Sequence, residues 1–248
     1  MLRRMLKPVD ADFQVTRGGL QWQLNPADFV QADLFWFGHK DYWETYHLCK
    51  LLKPGSVLFD IGANIGYYAI TLAATLGDES RVHAFEPFPP THERLLTNIT
   101  LNSFTEKITA HRLALSDREG VAHMRIRVGS NSGSARLDES GESIPITTID
   151  TFCSTHRIDR LDFVKIDAEG HEESVLAGGV QTIRRYRPFF LLELDPPLLG
   201  EAGSSVERVV SLLRGHRYSL CIARRDVLVP MEALPAGRVV VNAFAFPQ

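Results

Sequence analysis

Val57-Leu-Phe-Asp60-Ile-Gly62-Ala-Asn64-Ile-Gly66 is an apolar strand that ends in a carboxylate and turns through small residues into a helix. Strands of this kind, buried on both faces, deliver ligands to the carboxyl edge of a parallel sheet. Gly62 and Gly66 let the backbone approach a ligand with no Cβ in the way, and Asn64 tolerates unusual turn dihedrals better than most residues. From Val57 onward, short apolar runs alternate with helix-like stretches, which predicts an α/β fold with a doubly wound, mostly parallel sheet.

Seven strands are expected: Val57–Ile61, Arg81–Glu86, Ile108–Leu115, Phe163–Asp167, Phe189–Leu194, Tyr218–Ala223 and Val239–Phe246. The last two have no helix between them, so the final strand should run antiparallel. Helices are expected from near Gly66, over Pro89–Asn102, Thr148–His156, Glu172–Arg185 and Ser205–Arg214, with Gly77 and Gly215 as stops and Ser204-Ser205 as a cap. Residues 1–53, rich in aromatics from Trp22 to Tyr46, predict a small cap and a lead-in helix over Tyr42–Leu52, followed by a catalytic domain over 54–248. The alternating stretches Val121–Val128 and Ile144–Thr147 predict a β-hairpin insertion at about 118–147.

The first turn does not fit a nicotinamide dinucleotide. That fingerprint, G-x-G-x-x-G, needs glycines where Asn64 and Tyr67 stand, and Asp60 would repel a pyrophosphate. S-adenosylmethionine, with a sulfonium, an ammonium and no phosphate, is the better match. Glu86, closing the next strand, is expected to accept hydrogen bonds from ribose hydroxyls. Ser116 and Asp117, after the third strand, lie where adenine is expected, although the pair also makes an ordinary turn.

The fourth strand runs Phe163-Val-Lys-Ile-Asp167-Ala-Glu169-Gly170-His171-Glu172-Glu173. Asp167 is aimed at the cofactor's methionine part and at the acceptor. His171 has the ordinary pKa that suits proton removal near neutrality, while Glu172 and Glu173 read as first-turn acids favoured by the helix dipole. Asp167, Glu169, His171 and Glu193 could surround a divalent ion by residue type, but a metal is not favoured. Asp195-Pro196-Pro197 is similar to the Asp/Asn-Pro-Pro-aromatic motif of amino-methylating enzymes, but it follows the fifth strand and ends in Leu198, so a turn is expected.

Taken together these segments resemble the FkbM-type methyltransferases, within the Rossmann-like S-adenosylmethionine-dependent class. The likeness covers roughly Gly55 to Leu194 and rests on FDIGANIGYYA, HAFEP, Leu115-Ser-Asp117-x-x-Gly120, TTIDTFC, DFVKIDAEGHE, VLAGG and LLELD. The resemblance implies methyl transfer, commonly to a hydroxyl of a sugar, polyketide or other natural product. It implies cofactor contacts at Asp60, Gly62, Asn64, Gly66, Glu86, Ser116 and Asp117, with Asp167 and Glu169 in the fourth motif. The catalytic assignment is His171 as base, with Asp167 and Glu169 beside it. N-methylation of a small amine and a non-catalytic binding module are the rival readings.

With 27 Lys plus Arg against 30 Asp plus Glu, the formal net charge of -3 supplies no field for nucleic acid or an anionic membrane. The basic start at Arg3-Arg4 is followed by Asp10 and Asp12 instead of an apolar core, and no apolar run nears membrane-spanning length. A cytoplasmic enzyme acting on a small-molecule acceptor is expected, its oligomeric state open with the aromatic cap as a candidate homodimer contact, and with Cys49, Cys153 and Cys221 as buried reduced thiols.

Overall fold

The four-residue run Phe163–Ile166 is buried along its whole length and pairs in parallel with an equally apolar strand on each side. The computed structural model in which it lies describes residues 9–126, 135–137, 141–232 and 239–248. In chain order, the hairpin β1 (Phe13–Arg17) and β2 (Leu20–Leu24) is followed by helices α1 (Phe29–Phe37) and α2 (Tyr42–Leu51). Next come β3 (Val57–Ile61), α3 (Tyr67–Thr75), β4 (Arg81–Phe85), α4 (Pro89–Leu101), β5 (Ile108–His111) and β6 (Ala114–Leu115). The middle of the chain forms β7 (Gly120–Ile126), β8 (Ala135–Leu137), β9 (Glu142–Thr147), α5 (Ile149–Thr155) and β10 (Phe163–Ile166). It ends with α6 (Glu172–Ala177), α7 (Val180–Tyr186), β11 (Phe189–Leu194), α8 (Pro196–Glu201), α9 (Val206–Gly215), β12 (Tyr218–Arg224), β13 (Val227–Pro230) and β14 (Val241–Pro247).

The main sheet has the order β13-β12-β14-β11-β10-β3-β4-β5, with β14 antiparallel to both neighbours and the strands from β11 to β5 parallel. The chain winds outward from β3 to β5, then returns to the other side of β3 as β10. This reversal opens a crevice at the carboxyl ends of β3 and β10, where ligands bind in open α/β sheets. One buried cluster joins Phe59, Phe152, Val164, Leu176, Phe190 and Val209; another joins Trp22, Leu48, Leu58, Ile70, Leu95 and Phe244.

The expected mostly parallel sheet with an antiparallel last strand is found, with corrections. Among the described residues it has eight strands, because Val227–Pro230 adds a short edge strand. The expected strand Ile108–Leu115 breaks after His111, and Ala114–Leu115 joins a second sheet. The hairpin insertion is a four-stranded sheet of order β6-β9-β7-β8, whose shortest members are too brief to show alternation. Residues 127–128 of the expected strand, including Arg127, and residues 1–8 lie outside the described residues.

Residues Glu172–Arg185 form two helices, broken at Gly178-Gly179. A Cβ on Gly178 would meet the Ser116 carbonyl oxygen at 2.0 Å, so the break admits the end of β6. Gly215 lies inside α9, and Arg217 supplies the left-handed residue beyond it (φ 61). Ser205 caps α9 as expected, and Thr148 caps α5. Of the thiols, only Cys153 is buried; Cys49 and Cys221 are half-buried.

The β1–β2 hairpin and α1 were not expected. The hairpin docks on α4 through its backbone, Gln21 and Gln23 N–H donating to the Asn102 and Asn98 side chains at 2.9 and 2.7 Å. Trp22 and Leu24 then complete the core cluster that contains α3. Among the described residues no helix is long and apolar enough to cross a membrane.

Asp150 caps α7 from a distance, its carboxylate accepting from Gln181 N–H at 3.0 Å and Thr182 N–H at 2.7 Å. Asp150→Ala is expected to cost about 1 kcal/mol and to lower the melting temperature by about 2–4 °C, read by thermal denaturation.

Candidate active site

The carboxyl ends of β3, β4, β10 and β11 open into a cavity of about 490 Å³. Gly62, Ala63 and Asn64 form its floor; Asp167, Glu169 and His171 stand on one side, Leu113 to Ser116 on another. Ala122, Met124, Ile144 and Ile146 of the second sheet and Phe29, Val30 and Lys40 of the N-terminal segment complete the wall.

The turn after β3 is held from three directions. Gly62 and Ala63 N–H both donate to the Phe85 carbonyl, at 3.0 and 2.9 Å. Asn64, left-handed at φ 51, donates its N–H to Glu86 Oε2 at 2.9 Å and accepts from Ile65 N–H through its own side chain. Gly62 (φ 71) packs so closely on β10 that a Cβ would lie 1.8 Å from the Asp167 carbonyl oxygen. Gly66 leaves α3 with no side-chain cap of its own, and Asp60 Oδ2 fills that role by accepting from Ala69 N–H at 3.0 Å.

Beneath the turn lies a buried ionic group. The Lys165 ammonium donates to the Gly62 carbonyl at 3.0 Å and to Asp167 Oδ2 at 3.2 Å, with Asp60 Oδ1 at 3.6 Å. Burial works to strip Lys165 of its charge, but Asp167 and Asp60 offset this and hold its pKa above the ordinary lysine value. Burial raises Asp60. For Asp167 burial pulls the same way, yet Lys165, Lys40 and a hydrogen bond from Glu193 together lower it. Glu193, at the end of the adjacent strand, is pushed up to about 9 by the Asp167 charge and by burial, so at neutral pH it is the proton donor of this pair.

Glu86 is buried, accepts from the Asn64 and Phe88 N–H groups, and is pushed up to about 7 by burial. His171 precedes α6 and lines the cavity; burial lowers its pKa, with Asp117 opposing and Arg118 assisting, so the ring is neutral near pH 7. Glu172 corrects the reading of a dipole-facing surface acid. It is buried, and its Oε1 accepts from Ala168 and Gly170 N–H at 2.9 and 3.2 Å, bracing the loop that carries Glu169. Glu173 bonds the Ser204 hydroxyl and Arg208, tying α6 to α9.

Gly62, Asn64, Glu86, Ser116, Asp167, Glu169 and His171 therefore share one cavity. Three other residues expected at the cofactor do not line it. Asp60 sits behind the turn as cap and ion partner; Gly66 packs against Leu95 and Ile70; Asp117 is exposed and bonded to Ser116 and Arg118. Sequence reasoning passed over Lys165, whose signal was a charge in the middle of the apolar strand FVKI, and Lys40, which no pattern marked. Among the described residues no three or more His, Cys, Asp or Glu side chains converge as a metal site. Where Asp195-Pro196-Pro197 is expected to make a turn, Asp195 instead caps the short helix α8, its carboxylate accepting from Leu198 N–H at 3.1 Å.

A doubly wound sheet with an acid-rimmed, glycine-floored crevice at its switch point is the architecture of the α/β methyltransferases. The Methyltransferase FkbM domain profile matches residues 60–220, and the chain belongs to that family. It is similar to the AMB antimetabolite synthetase AmbE of Pseudomonas aeruginosa, 26% identical over 83% of this chain and 11% of that protein. It is also similar to the 31-O-demethyl-FK506 methyltransferase FkbM of Streptomyces tacrolimicus, 27% identical over 71% of this chain and 77% of that one. The hexuronic acid methyltransferase AglP of Haloferax volcanii is 32% identical over 64% of this chain and 68% of its own. Among solved structures, Methyltransferase FkbM from Methylobacillus flagellatus KT shares the fold, with a TM-score of 0.52 at 19% identity, covering 84% of this chain and 48% of that chain. The chain thus spans about a tenth of AmbE and about half of the solved FkbM chain.

Removing one member of a buried ionic group leaves the others uncompensated, so Lys165→Met is expected to cost about 3–5 kcal/mol. Adding Asp60→Asn, whose amide oxygen still accepts from Ala69 N–H, is expected to restore part of that stability in urea denaturation.

Proposed function

We propose that this chain is an S-adenosylmethionine-dependent O-methyltransferase acting on a hydroxyl of a small molecule such as a sugar or polyketide. The observation that carries the reading is the neutral His171 imidazole on the wall of an acid-lined cavity, beside the Asp167–Glu193 pair. The donor set fits the cofactor. Carboxylates and a glycine floor suit a ligand with two positive centres and no phosphate, and Glu86 has lone pairs left for a diol after its two backbone bonds. FkbM of Streptomyces tacrolimicus is an O-methyltransferase by name, and AglP acts on a hexuronic acid, which supports the acceptor class.

When bound, the cofactor supplies an electrophilic methyl group on a sulfonium leaving group. The protein's part is mainly alignment: Asp167, fixed by Lys165, orients the polar end of a ligand, while Phe29, Met124 and Ile146 give the cavity an apolar wall. An alcohol is a weak nucleophile at neutral pH, so His171, holding an unprotonated ring nitrogen, takes the acceptor's proton as the new bond forms.

His171→Ala is expected to leave cofactor affinity unchanged in calorimetry and to lower turnover by about two to four orders of magnitude. Equal turnover in the variant would remove His171 from the mechanism. The wild-type rate should fall as acid protonates the ring, at a pH below the ordinary histidine value.

Glu86 gives a second test. Its folded-state pKa of about 7 lies above the ordinary 4.5, so near neutrality much of it carries a proton that a ribose diol would displace. Cofactor binding near pH 6.5 is expected to release a fraction of a proton, seen as a dependence of binding enthalpy on buffer ionisation enthalpy. That part of the dependence should vanish in Glu86→Gln, and affinity in the wild type should rise from pH 5.5 to 8.

A further inference from the structure

Three cations line the cavity among the described residues, and they differ in how their charge is engaged. Lys165 is buried beneath the floor and donates to the Gly62 carbonyl and to Asp167, with Asp60 Oδ1 further off at 3.6 Å. Arg118 has a side chain 68% exposed and pairs with Asp117. Lys40 is 29% exposed in its side chain, and its one ion pair among the described residues is with Asp41 Oδ2 at 3.7 Å, beyond hydrogen-bond length. That same oxygen already accepts from the Tyr68 hydroxyl at 3.1 Å. An ammonium has three donors.

The position of Lys40 is built in. Gly38 ends α1 in the left-handed region (φ 79), and Asp41 repeats it at φ 47, so the chain makes a tight bend around Lys40. Tyr68 holds Asp41, Thr45 donates to the Tyr67 hydroxyl at 3.3 Å, and the Lys40 backbone bonds the same hydroxyl. Both tyrosines belong to the first turn of α3, the helix that the Gly62–Gly66 turn opens. Lys40 is thereby fixed to the element that carries the cavity floor. Burial opposes its charge, but the carboxylates of Asp41 and Asp167 keep the ammonium protonated.

The cofactor inferred above carries an ammonium and a carboxylate on one carbon. Asp167 suits the ammonium, whereas a carboxylate brought beside the Asp167 charge is repelled unless a cation meets it. We propose that Lys40 binds the α-carboxylate of the cofactor's methionine part. The inference rests on the cofactor reading, and it extends the binding machinery to a segment outside the matched residues 60–220. A carboxylate on the acceptor has the same chemistry, and the test separates the two sources.

Calorimetric titration of wild type, Lys40→Met and Lys40→Arg with S-adenosylmethionine and with decarboxylated S-adenosylmethionine decides it, ligand-free melting curves first establishing that each variant is folded. Lys40→Met is expected to weaken S-adenosylmethionine about tenfold to a hundredfold, the range for a charged hydrogen bond, and to leave the decarboxylated ligand unchanged. Lys40→Arg should keep most of the wild-type affinity. Equal weakening of both ligands by Lys40→Met, or no weakening of either, overturns the proposal; the second result returns the lysine to the acceptor. If wild type takes up neither nucleoside, the cofactor reading itself fails and this inference with it.

Discussion

The Lys165 ammonium, shared between the Gly62 carbonyl and the carboxylates of Asp167 and Asp60, is the interaction on which the cavity depends. Taking three charges out of water is costly, and such a group persists only when its geometry is good and its remaining donors are matched. Here one donor is matched by backbone and one by a side chain, while Asp60 Oδ1 is held by charge alone at 3.6 Å. Through Gly62 the lysine holds the floor; through Asp60 it reaches the cap of α3; through Asp167 it sets the acid that faces the cavity. One ammonium against two carboxylates leaves excess negative charge, and Glu193 limits it by keeping its proton. The site is thus acidic enough to favour a cation without being so acidic that the sheet edge is pushed apart.

The sheet order gives this ionic group its place. Because β3 and β10 are neighbours in space but far apart in sequence, their turns converge from two sides on the cavity, which the starts of α3 and α6 also reach through Tyr67, Tyr68 and His171. What covers the gap comes from elsewhere: the second sheet contributes an apolar wall, and the N-terminal segment contributes Phe29, Val30 and Lys40. Those added walls come from segments outside the parallel sheet, whereas the floor is the turn that follows β3.

Much of the core was legible because buried parallel strands leave long apolar runs. Val57–Ile61 and Phe189–Leu194 match the observed strands at both ends, and Thr148 marked the start of α5. The failures share a cause, namely elements whose partners lie far along the chain. Ala114–Leu115 is two residues long and exists as a strand because β9 pairs with it; Val227–Pro230 is an edge strand held by β12 alone. At the site, glycines and strand-end acids were readable as types in order. Which of them face the cavity was not: Asp60 and Asp167 both end apolar strands, yet one turns under the floor and the other toward the opening. Glu172 looked like any first-turn acid, and only the fold of its own loop makes it a buried brace.

The paired glycines between α6 and α7 have a reach beyond their own helices. With the Ser116 carbonyl seated where a side chain of Gly178 would stand, the end of β6 is wedged into the helix break. Any bulk added there acts as a lever on the Leu113–Ser116 side of the crevice, widening or narrowing it from behind. Gly178 is thus a remote gauge of cavity width, and bulk added at this position would change the shape of the crevice while every lining residue kept its identity.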